Sequence, residues 1–417
     1  MRISAVSVFF VAGGFAISAG AATPIYRSVG PGNTAFLAAG GASGAIHIDD
    51  GVVTFPGSLP PEAGVGDALV YDGAGNDGVM DSVVFIHARG SASTCVVRTA
   101  SGAVPADVSN ETEWVLYRAY TSLFDAERGV ENTGIPSAVR NFDTWSGGRN
   151  IASADEMWHI ACYADGVDTD GVTVDGWTTS ANYIRVFTPF HGDEVGASQR
   201  HGGAWDTGAY RMEVANDDCL ILREPNVRVE GLQLRITAVD GAYETIWVDP
   251  SAGNSDIRIS HNILRGVPTS AYEWHIGISV YEAGSGILSI WNNVIYDFNG
   301  TVNCEGMDLD DAEFTMYVGN NTLHNCRQGI QQWNGTVIAG NNLVQDCGVG
   351  FAGTFDPTSD YNCSDAGDAP GAHSNSLTAV FVNEGADDFH LSASDTAARN
   401  QGADASSSYT DDIDGQT

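Results

Sequence analysis

The feature that most constrains this chain is a strand motif that recurs six times between residues 227 and 365. Each copy has alternating apolar residues, then in most copies a polar pair that ends in Asn, then another apolar residue. The copies are VRVEGLQL at 227–234, IRISHNIL at 257–264, LSIWNNVI at 288–295, MYVGNNTL at 316–323, VIAGNNLV at 337–344 and the weaker TSDYNCSD at 358–365. Such self-similarity is typical of a structural array.

The period of the array selects its architecture. Steps of 30, 31, 28, 21 and 20 residues separate the equivalent positions. A period that falls to 20 is too short for a propeller blade, and strand-like alternation excludes a helical solenoid. We therefore predict an all-β fold with a right-handed parallel β-helix over residues 156–365. Turns of such a fold lie ~4.8 Å apart, so one row of asparagines is expected to stack as a hydrogen-bonded structural ladder: Asn262, Asn293, Asn321, Asn342 and Asn362.

These repeats resemble those of the pectin-lyase-like superfamily of secreted parallel β-helix proteins. The resemblance covers roughly residues 210–365 and implies the fold. It does not imply one activity, because this fold carries lyases, hydrolases, adhesins and surface proteins alike. The C-terminal stretch DDFHLSASDTAARNQGADASSSYTDDIDGQT is similar to the segment that follows the helix in choice-of-anchor proteins, in which more residues follow the final Asp-Gly. Residues 366–417 are therefore expected to form a C-terminal cap or anchor-linked segment that is truncated in this chain.

The regions before the array have their own signatures. Residues 1–21 are typical of a signal peptide, with Arg2, an apolar core and a small-residue cleavage site at Ala19-Gly20-Ala21. Residues 22–125 contain short β-rich runs between Gly, Asp and Pro residues, which predicts a small antiparallel β domain. Residues 126–155 are expected to be a linker, with a short helix near SLFDAERGV (122–130) that caps the open end of the solenoid.

The net charge limits the classes of binding partner, and the cysteine content limits the disulfide bonds that the chain can form. The 18 basic residues are all arginine and face 53 acids, so the net charge is −35. This charge argues against nucleic acid or an anionic membrane as a partner, and against a strongly anionic polymer unless cations mediate. Seven cysteines in 417 residues do not form a disulfide scaffold. Cys326 and Cys347 each follow a ladder asparagine by five residues, which is compatible with a disulfide or with a buried pair of thiols.

Each turn also contains a second strand whose outward residues point to function. Apolar alternation places Ile246, Val248, Ile278, Val280, Met307 and Leu309 inside. The other parity then forms two outward columns, Trp247, Ser279, Asp308, Gln331, Ala352 and Asp249, Tyr281, Asp310, Trp333, Thr354. Aromatic rings stack on sugar faces, and carboxylates bond hydroxyls or hold a cation. We therefore expect a polysaccharide to bind at Trp247, Asp249, Tyr281, Gln331 and Trp333.

The same face supplies candidate catalytic residues, namely Asp308, Asp310 and Asp311. A glycoside hydrolase needs two carboxylates of different protonation, and DLDD at 308–311 resembles the paired aspartates of polygalacturonases, although the Gly-His-Gly and Arg-Ile-Lys motifs of that family are absent. Asp308 and Asp310 are also spaced to ligate Ca²⁺, as in pectate lyases. Longer loops in the earlier turns are expected to wall a cleft that holds Glu273, Trp274, His275, Asn303 and Glu305, with Glu282 nearby.

Three functional hypotheses follow. The first is a secreted or cell-surface, monomeric protein that binds carbohydrate on this face, with Ca²⁺ as an optional ion and without a membrane span. The second is a polysaccharide lyase or glycoside hydrolase of pectin-lyase-like fold. The third is a structural or adhesin stalk without glycan binding. His261 and His324, which lie beside the repeat asparagines, are expected to be structural.

Overall fold

The computed structural model describes residues 22–41, 44–73, 77–145, 147–237, 241–250, 253–266, 274–281, 284–406, 409 and 411–413. The expected signal peptide, residues 1–21, lies outside this set. The protein is nearly all β, with 44% of residues in strands and 4% in helices, and its large parallel sheets curl into a half-barrel. The prediction of an all-β fold with extensive parallel pairing is therefore confirmed.

Within the described residues, nine strands precede the array, and eight of them form one antiparallel sheet in the order β2-β9-β5-β6-β7-β4-β3-β8. Their bounds are β1 Thr23–Val29, β2 Phe36–Ala39, β3 Ile46–Asp49, β4 Val52–Thr54, β5 Ala68–Tyr71, β6 Ser82–Arg89, β7 Thr94–Arg98, β8 Val108–Glu111 and β9 Trp114–Tyr117. The sequence placed residues 22–125 in one antiparallel unit, but β1 instead pairs in parallel with residues 156–162. The reason is apolar burial, because Ile25 and Val29 join the core of the parallel sheets.

Two short helices follow, α1 at Leu123–Glu127 and α2 at Ile151–Ala154. The Ser122 hydroxyl accepts the Asp125 backbone N–H at 3.0 Å and so caps the first turn of α1. Leu123 and Ala126 are buried in the same apolar cluster as Ile25 and Trp158. The helix over SLFDAERGV therefore lies against the first strands of the parallel sheets.

The described part of the array contains twenty strands. Their bounds are β10 Glu156–Cys162, β11 Val167–Asp168, β12 Val172–Val174, β13 Ile184–Phe187, β14 Arg211–Val214, β15 Leu220–Leu222, β16 Val227–Glu230, β17 Gln233–Ile236, β18 Ala242–Val248, β19 Ser255–Ser260, β20 Ile263–Arg265, β21 Trp274–Tyr281, β22 Gly286–Trp291, β23 Val294–Tyr296, β24 Glu305–Gly319, β25 Thr322–His324, β26 Gln328–Gly340, β27 Leu343–Gln345, β28 Val349–Ala352 and β29 Cys363–Ser364.

These strands form two parallel sheets. The eight-stranded sheet has the order β11-β14-β17-β20-β23-β25-β27-β29. The thirteen-stranded sheet has the order β1-β10-β13-β16-β19-β22-β24-β21-β18-β15-β12, with β26 and β28 beyond β24. Residues 305–310 of β24 pair with β21, whereas residues 314–319 pair with β22. The long strand β24 therefore joins two wings of one sheet. We use the term second wing for one of them, which consists of β12, β15, β18, β21, residues 305–310 of β24, the start of β26, and β28.

A row of buried asparagines connects successive turns. The Asn293 side-chain oxygen accepts the backbone N–H and the side-chain amide of Asn262, both at 3.0 Å. Asn321 accepts the same pair of bonds from Asn293, and the pattern continues through Asn342 to Asn362. Each side-chain amide also donates to a backbone carbonyl, as Asn293 does to Ile259. The row therefore satisfies the buried polar groups of the bends.

The residue before each ladder position has left-handed backbone geometry. Gly231, His261, Asn292, Asn320, Asn341 and Tyr361 all have positive φ, between 54° and 76°. Asparagine adopts this region more readily than most non-glycine residues. This backbone requirement accounts for the first asparagine of each Asn-Asn pair, to which the sequence alone assigned no role.

The C-terminal segment folds back over the eight-stranded sheet. It forms β30 (Phe381–Asn383), a 3₁₀ turn (Glu384–Ala386) and β31 (Asp388–Leu391), which we call the C-terminal hairpin. Phe381 and Phe389 pack with Tyr296 and Leu343 on the outer face of that sheet. Farther along, the Asn341 amide exchanges two hydrogen bonds with the backbone of Ala403. The described residues from 366 to 406 thus cover one face of the array.

The cysteines are free thiols. Cys326 and Cys347 lie in adjacent turns, where the Cys326 backbone N–H donates to the Cys347 sulfur at 3.4 Å. Between the two arrangements that the spacing allowed, the structure has the pair of thiols.

Candidate functional site

The second wing has its predicted apolar residues inside. Ile246, Val248, Ile278, Val280, Met307 and Leu309 are fully buried in the central core. The opposite parity forms a continuous row on the outer side, in which Trp247 pairs with Ser279, Ser279 with Asp308, Asp308 with Gln331, and Gln331 with Ala352. Parallel in-register strands place these five residues one strand spacing apart.

The middle of this row is recessed. Ser279 is 3% exposed and Gln331 is 5% exposed, whereas the outer rings of Tyr281 and Trp333 are 50% and 62% exposed. The Gln328 side-chain amide donates a hydrogen bond to the side-chain oxygen Oε1 of Gln331. The expected flat column is therefore a polar floor beside protruding aromatic rings.

A β-bulge moves Trp333 from its expected position. The register of β24 with β26 shifts after Leu309, so that Asp310 lies opposite Asn334 instead of Trp333. The Asn334 amide donates to the Asp310 carboxylate at 2.6 Å. The Trp333 side chain lies close enough to the Asp308 carboxylate to lower the pKa of that group. A bulge of this kind redirects a side chain, and here it connects the most exposed ring of the face to a carboxylate of the floor.

Three carboxyl groups of this region have raised pKa values. Burial, and then the charge of Asp308, raise the pKa of Glu305 to about 7. Burial, and then the charge of Asp310, raise the pKa of Asp308 to about 6. Glu244, two strands from Glu305, is partly buried, and its desolvation and then its contact with Asp218 raise its pKa to about 9. At neutral pH this cluster therefore contains both proton donors and acceptors.

Three buried oxygens of the cluster have no hydrogen-bond partner among the residues that the structure describes. They are the Ser279 hydroxyl, Oδ1 of Asp308 and Oε2 of Glu305. Ser279 and Asp308 are direct neighbours across the strands, and Glu305 begins the strand that carries Asp308. Buried polar groups are rarely left unpaired in native proteins, so these oxygens mark the candidate site.

The remaining predicted residues have other contacts. Asp249 forms an ion pair with Arg223 at 3.2 Å. The Asp311 carboxylate accepts the Glu313 backbone N–H at 2.8 Å, so it stabilises the strand locally and does not join the row. Arg327 lies 3.7 Å from the Glu305 carboxylate. Of the expected catalytic trio, only Asp308 and Asp310 contribute to the face.

The loops expected to wall a cleft are described only in part. Glu273 and Glu282 lie outside the described residues. Trp274, at the start of β21, is half exposed. His275 is fully buried and its ring stacks near Tyr243, with 6.3 Å between centroids. His275 is therefore a core residue, while Trp274 adds a third ring to the face.

Metal-ligating side chains come together elsewhere. Within the ranges that the structure describes, one cluster of three His, Cys, Asp or Glu residues has its ligand atoms within 4.8 Å of one another, and it consists of His324, Asp346 and Glu384. Asp308 and Asp310 do not belong to it. The three residues lie far apart in the sequence, so motif spacing gave no signal for them.

Comparison with known proteins adds no assignment, because no family model, curated protein or solved structure matches this chain. No helix in the described part of the chain is long and apolar enough to cross a bilayer.

Proposed function

We propose that the second wing binds a neutral polysaccharide. The observation that carries this proposal is the group of three unpaired buried oxygens on Ser279, Glu305 and Asp308. Sugar hydroxyls both donate and accept hydrogen bonds, so they satisfy a hydroxyl and carboxyl oxygens at once. Desolvated polar groups of this kind gain most when a ligand supplies the missing partners.

The aromatic rings support the same conclusion. Trp274, Tyr281 and Trp333 are all about half exposed or more. Large aromatic side chains at a polar site offer apolar faces to the C–H side of a sugar ring. Trp247 is three strands from β26, which places Trp247 and Trp333 at least ~14 Å apart. This span suits several sugar units.

The charge of the site selects the class of sugar. Glu244, Glu305, Asp308 and Asp310 surround the floor, and the protein carries a net charge of −35. Arg327, a cation beside the floor, already faces Glu305 at 3.7 Å. An anionic polymer would be repelled, so we propose a neutral glycan as the ligand.

The wider context of this proposal is the one that the sequence suggests. We propose that the parallel sheets, joined by an asparagine row, are the faces of a right-handed parallel β-helix. We also propose that the protein acts outside the cell. The repeat spacing and the apolar segment at residues 1–21 support these two points.

A second candidate function is glycoside hydrolysis, and one observation favours it. Glu305, with a pKa of about 7, and Asp308, with a pKa of about 6, give the site a group that is half protonated at neutral pH beside a group that is mostly ionised. In this mechanism Glu305 protonates the departing oxygen, while Asp308 or Asp310 acts on the sugar as base or nucleophile. For lyase chemistry, the chain has no lysine, so Arg327 or Tyr281 would have to remove the sugar proton.

The experiment is a glycan array on the purified chain combined with a turnover assay, in which reducing ends and absorbance at 235 nm are measured with and without Ca²⁺. Asp308→Asn and Glu305→Gln are the test variants, and Asp249→Asn, whose partner is Arg223, is the control. Binding of neutral glycans that falls at least tenfold in the test variants alone supports the proposal. Turnover that disappears in Asp308→Asn while binding persists supports hydrolysis. A need for Ca²⁺ that disappears in the same variant assigns the ion to Asp308 and Asp310.

Equal affinities in all three variants, or the absence of any bound glycan, would overturn the proposal and leave the structural stalk as the better explanation.

A further inference from the structure

His324, Asp346 and Glu384 meet at the edge of the C-terminal hairpin. The His324 Nε2 atom lies 3.2 Å from Oδ2 of Asp346 and 3.2 Å from Oε1 of Glu384. The His324 imidazole is almost completely buried, and its ring packs against Phe381 and Phe389. Both carboxylates are about half exposed. A fixed nitrogen thus faces two acidic groups that reach solvent.

Three separate segments supply these residues. His324 ends β25, Asp346 follows β27 in the neighbouring turn, and Glu384 begins the 3₁₀ turn of the hairpin. Asp346 has left-handed backbone geometry with φ of 54°, and its backbone N–H donates to the Asp365 carboxylate at 3.0 Å. The Asp346 backbone is therefore held in place by the array, while Glu384 belongs to the segment that covers it.

The distances match those between ligands of one ion. Ligand atoms about 2.1 Å from a metal are roughly 3.0 to 3.4 Å from each other in octahedral or tetrahedral geometry, and both 3.2 Å distances from His324 fall in this interval. Without an ion, a single N–H of the imidazole faces two like charges. A divalent cation compensates both carboxylates and bonds the nitrogen lone pair.

No arginine neutralises the carboxylates of Asp346 and Glu384 in the described part of the chain, so a bound cation is needed to compensate their charge. Among the described residues, no ion pair joins an arginine to Asp346 or Glu384, because the nearby Arg265 pairs with Asp297 and Asp387 instead. The chain as a whole carries 53 acids against 18 arginines. A negative protein raises the local concentration of cations.

We propose that His324, Asp346 and Glu384 bind one divalent transition-metal ion, of which Zn²⁺ is the representative. One imidazole and two carboxylates are a ligand set that suits Zn²⁺ better than Ca²⁺ or Mg²⁺, which prefer oxygen alone. The exposed side of the site leaves further coordination positions to water. The ion links two turns of the array to the C-terminal hairpin and so stabilises the cover over the eight-stranded sheet. This site is separate from the second wing and does not depend on the glycan proposal.

The test begins with isothermal titration of Zn²⁺ into the metal-free full chain, with Ca²⁺ as the competing ion. We expect one equivalent to bind and Ca²⁺ at a hundredfold excess not to displace it. X-ray absorption of the bound ion should contain only nitrogen and oxygen neighbours, at about 2.0–2.2 Å. A sulfur neighbour at about 2.3 Å would instead indicate Cys347, which follows Asp346, and would overturn the assignment.

The variant Asp346→Asn/Glu384→Gln provides the second measurement. Both residues are half exposed, and both replacements keep size and polarity, so the fold should persist. Zn²⁺ affinity should fall at least thirtyfold. The control is His373→Gln, which removes a histidine whose Nδ1 contacts a single carboxylate, Asp360, at 2.6 Å. Its affinity should equal that of the unmodified chain.

A functional readout follows from the link to the hairpin. Zn²⁺ should slow proteolytic cleavage within residues 381–391 about tenfold in the unmodified chain and in His373→Gln, but not in the double variant. Equal Zn²⁺ affinity in the double variant and the unmodified chain, or the absence of a bound equivalent in the unmodified chain, would contradict the proposal.

Discussion

The Trp333 side chain lies beside the carboxylate of Asp308 at a bulge between β24 and β26 and lowers the pKa of that carboxyl group. This contact joins the most exposed ring of the second wing to an acid whose other oxygen is buried and unpaired. The stacking surface and the polar floor are therefore one unit, and replacement of Trp333 tests both parts.

Trp333→Ala should weaken binding of a neutral oligosaccharide about tenfold, because a stacked aromatic contact contributes ~1 kcal/mol or somewhat more. Trp333→Phe should retain most of the affinity, since an aromatic ring remains, but should raise the Asp308 pKa further by removing the polar indole contact that lowers it. Calorimetry measures the first effect and carboxyl NMR the second. Phe36→Ala is the control, because Phe36 is equally exposed but lies on the antiparallel sheet. A similar loss of affinity in that variant would argue against the site.

The stability of the protein should depend on pH through Glu127. Burial raises the pKa of this group to about 8. A carboxyl whose pKa is higher in the folded state stabilises the fold fully below its ordinary pKa near 4.5, and this contribution is lost as the pH rises through 8. Glu127→Gln cannot ionise, and its carbonyl oxygen still accepts from the Asp175 N–H and the Trp177 indole. Its melting temperature should therefore exceed that of the unmodified chain increasingly from pH 5 to pH 9.

Differential scanning calorimetry at pH 5, 7 and 9 measures this difference. The exposed Glu113→Gln is the control and should follow the unmodified chain at each pH. A difference in melting temperature that shrinks as the pH rises would contradict the assignment to Glu127.

Removal of one asparagine from the ladder should destabilise the array. Asn293→Ala leaves the Asn262 backbone N–H, the Ile259 carbonyl and the Asn321 side-chain oxygen with fewer partners in the core. Unsatisfied buried groups cost about 1–3 kcal/mol each, so a loss of about 3 kcal/mol is expected in chemical denaturation. Asn341→Gly, outside the ladder, avoids backbone strain at a φ of 59° and loses bonds to Ala403 at the partly buried edge, so it should cost less. Equal losses of unfolding free energy in the two variants would show that the ladder asparagines stabilise the array no more than other asparagines do.

The left-handed positions should discriminate between residue types. Asn320 has φ of 54°. Asn320→Gly should change the unfolding free energy by only a few tenths of a kcal/mol, whereas Asn320→Val should cost about 1–2 kcal/mol because a branched side chain strains this backbone region. Parallel denaturation curves for the two variants test the difference. Equal stability would indicate that the bend adopts another conformation in solution.

The C-terminal hairpin should open when its anchor is removed. Phe389 is buried between Tyr296 and Phe381. Phe389→Ala should cost about 3–4 kcal/mol of hairpin docking, which exceeds the stability of most local segments. Hydrogen exchange within residues 381–391 should then become fast, while exchange in β16 and β19 remains slow. The exposed Val382→Ala is the control. Unchanged protection in Phe389→Ala would show that other contacts hold the hairpin.

The parts of the structure that could be read from the sequence depend on local spacing. Apolar alternation assigned Ile246, Ile278 and Met307 to the interior, because side chains of a strand alternate between its faces. The spacing of the asparagines placed Asn293 and Asn321 in one row for the same reason. Each of these inferences needs only the period of a strand and the period of the array.

Other features depend on contacts between distant segments. The bulge that turns Trp333 toward Asp308 arises from the register of two long strands, and the sequence of either strand alone does not contain it. The pairing of β1 with β10 and the cover formed by Phe389 depend on which apolar surfaces remain after the sheets assemble. The raised pKa values of Glu305 and Asp308 depend on burial beside like charges, and the meeting of His324 with Glu384 depends on where the hairpin docks. Periodicity thus determined the strands and the row, while three-dimensional packing, through desolvation and the proximity of distant residues, determined the chemistry of both candidate sites.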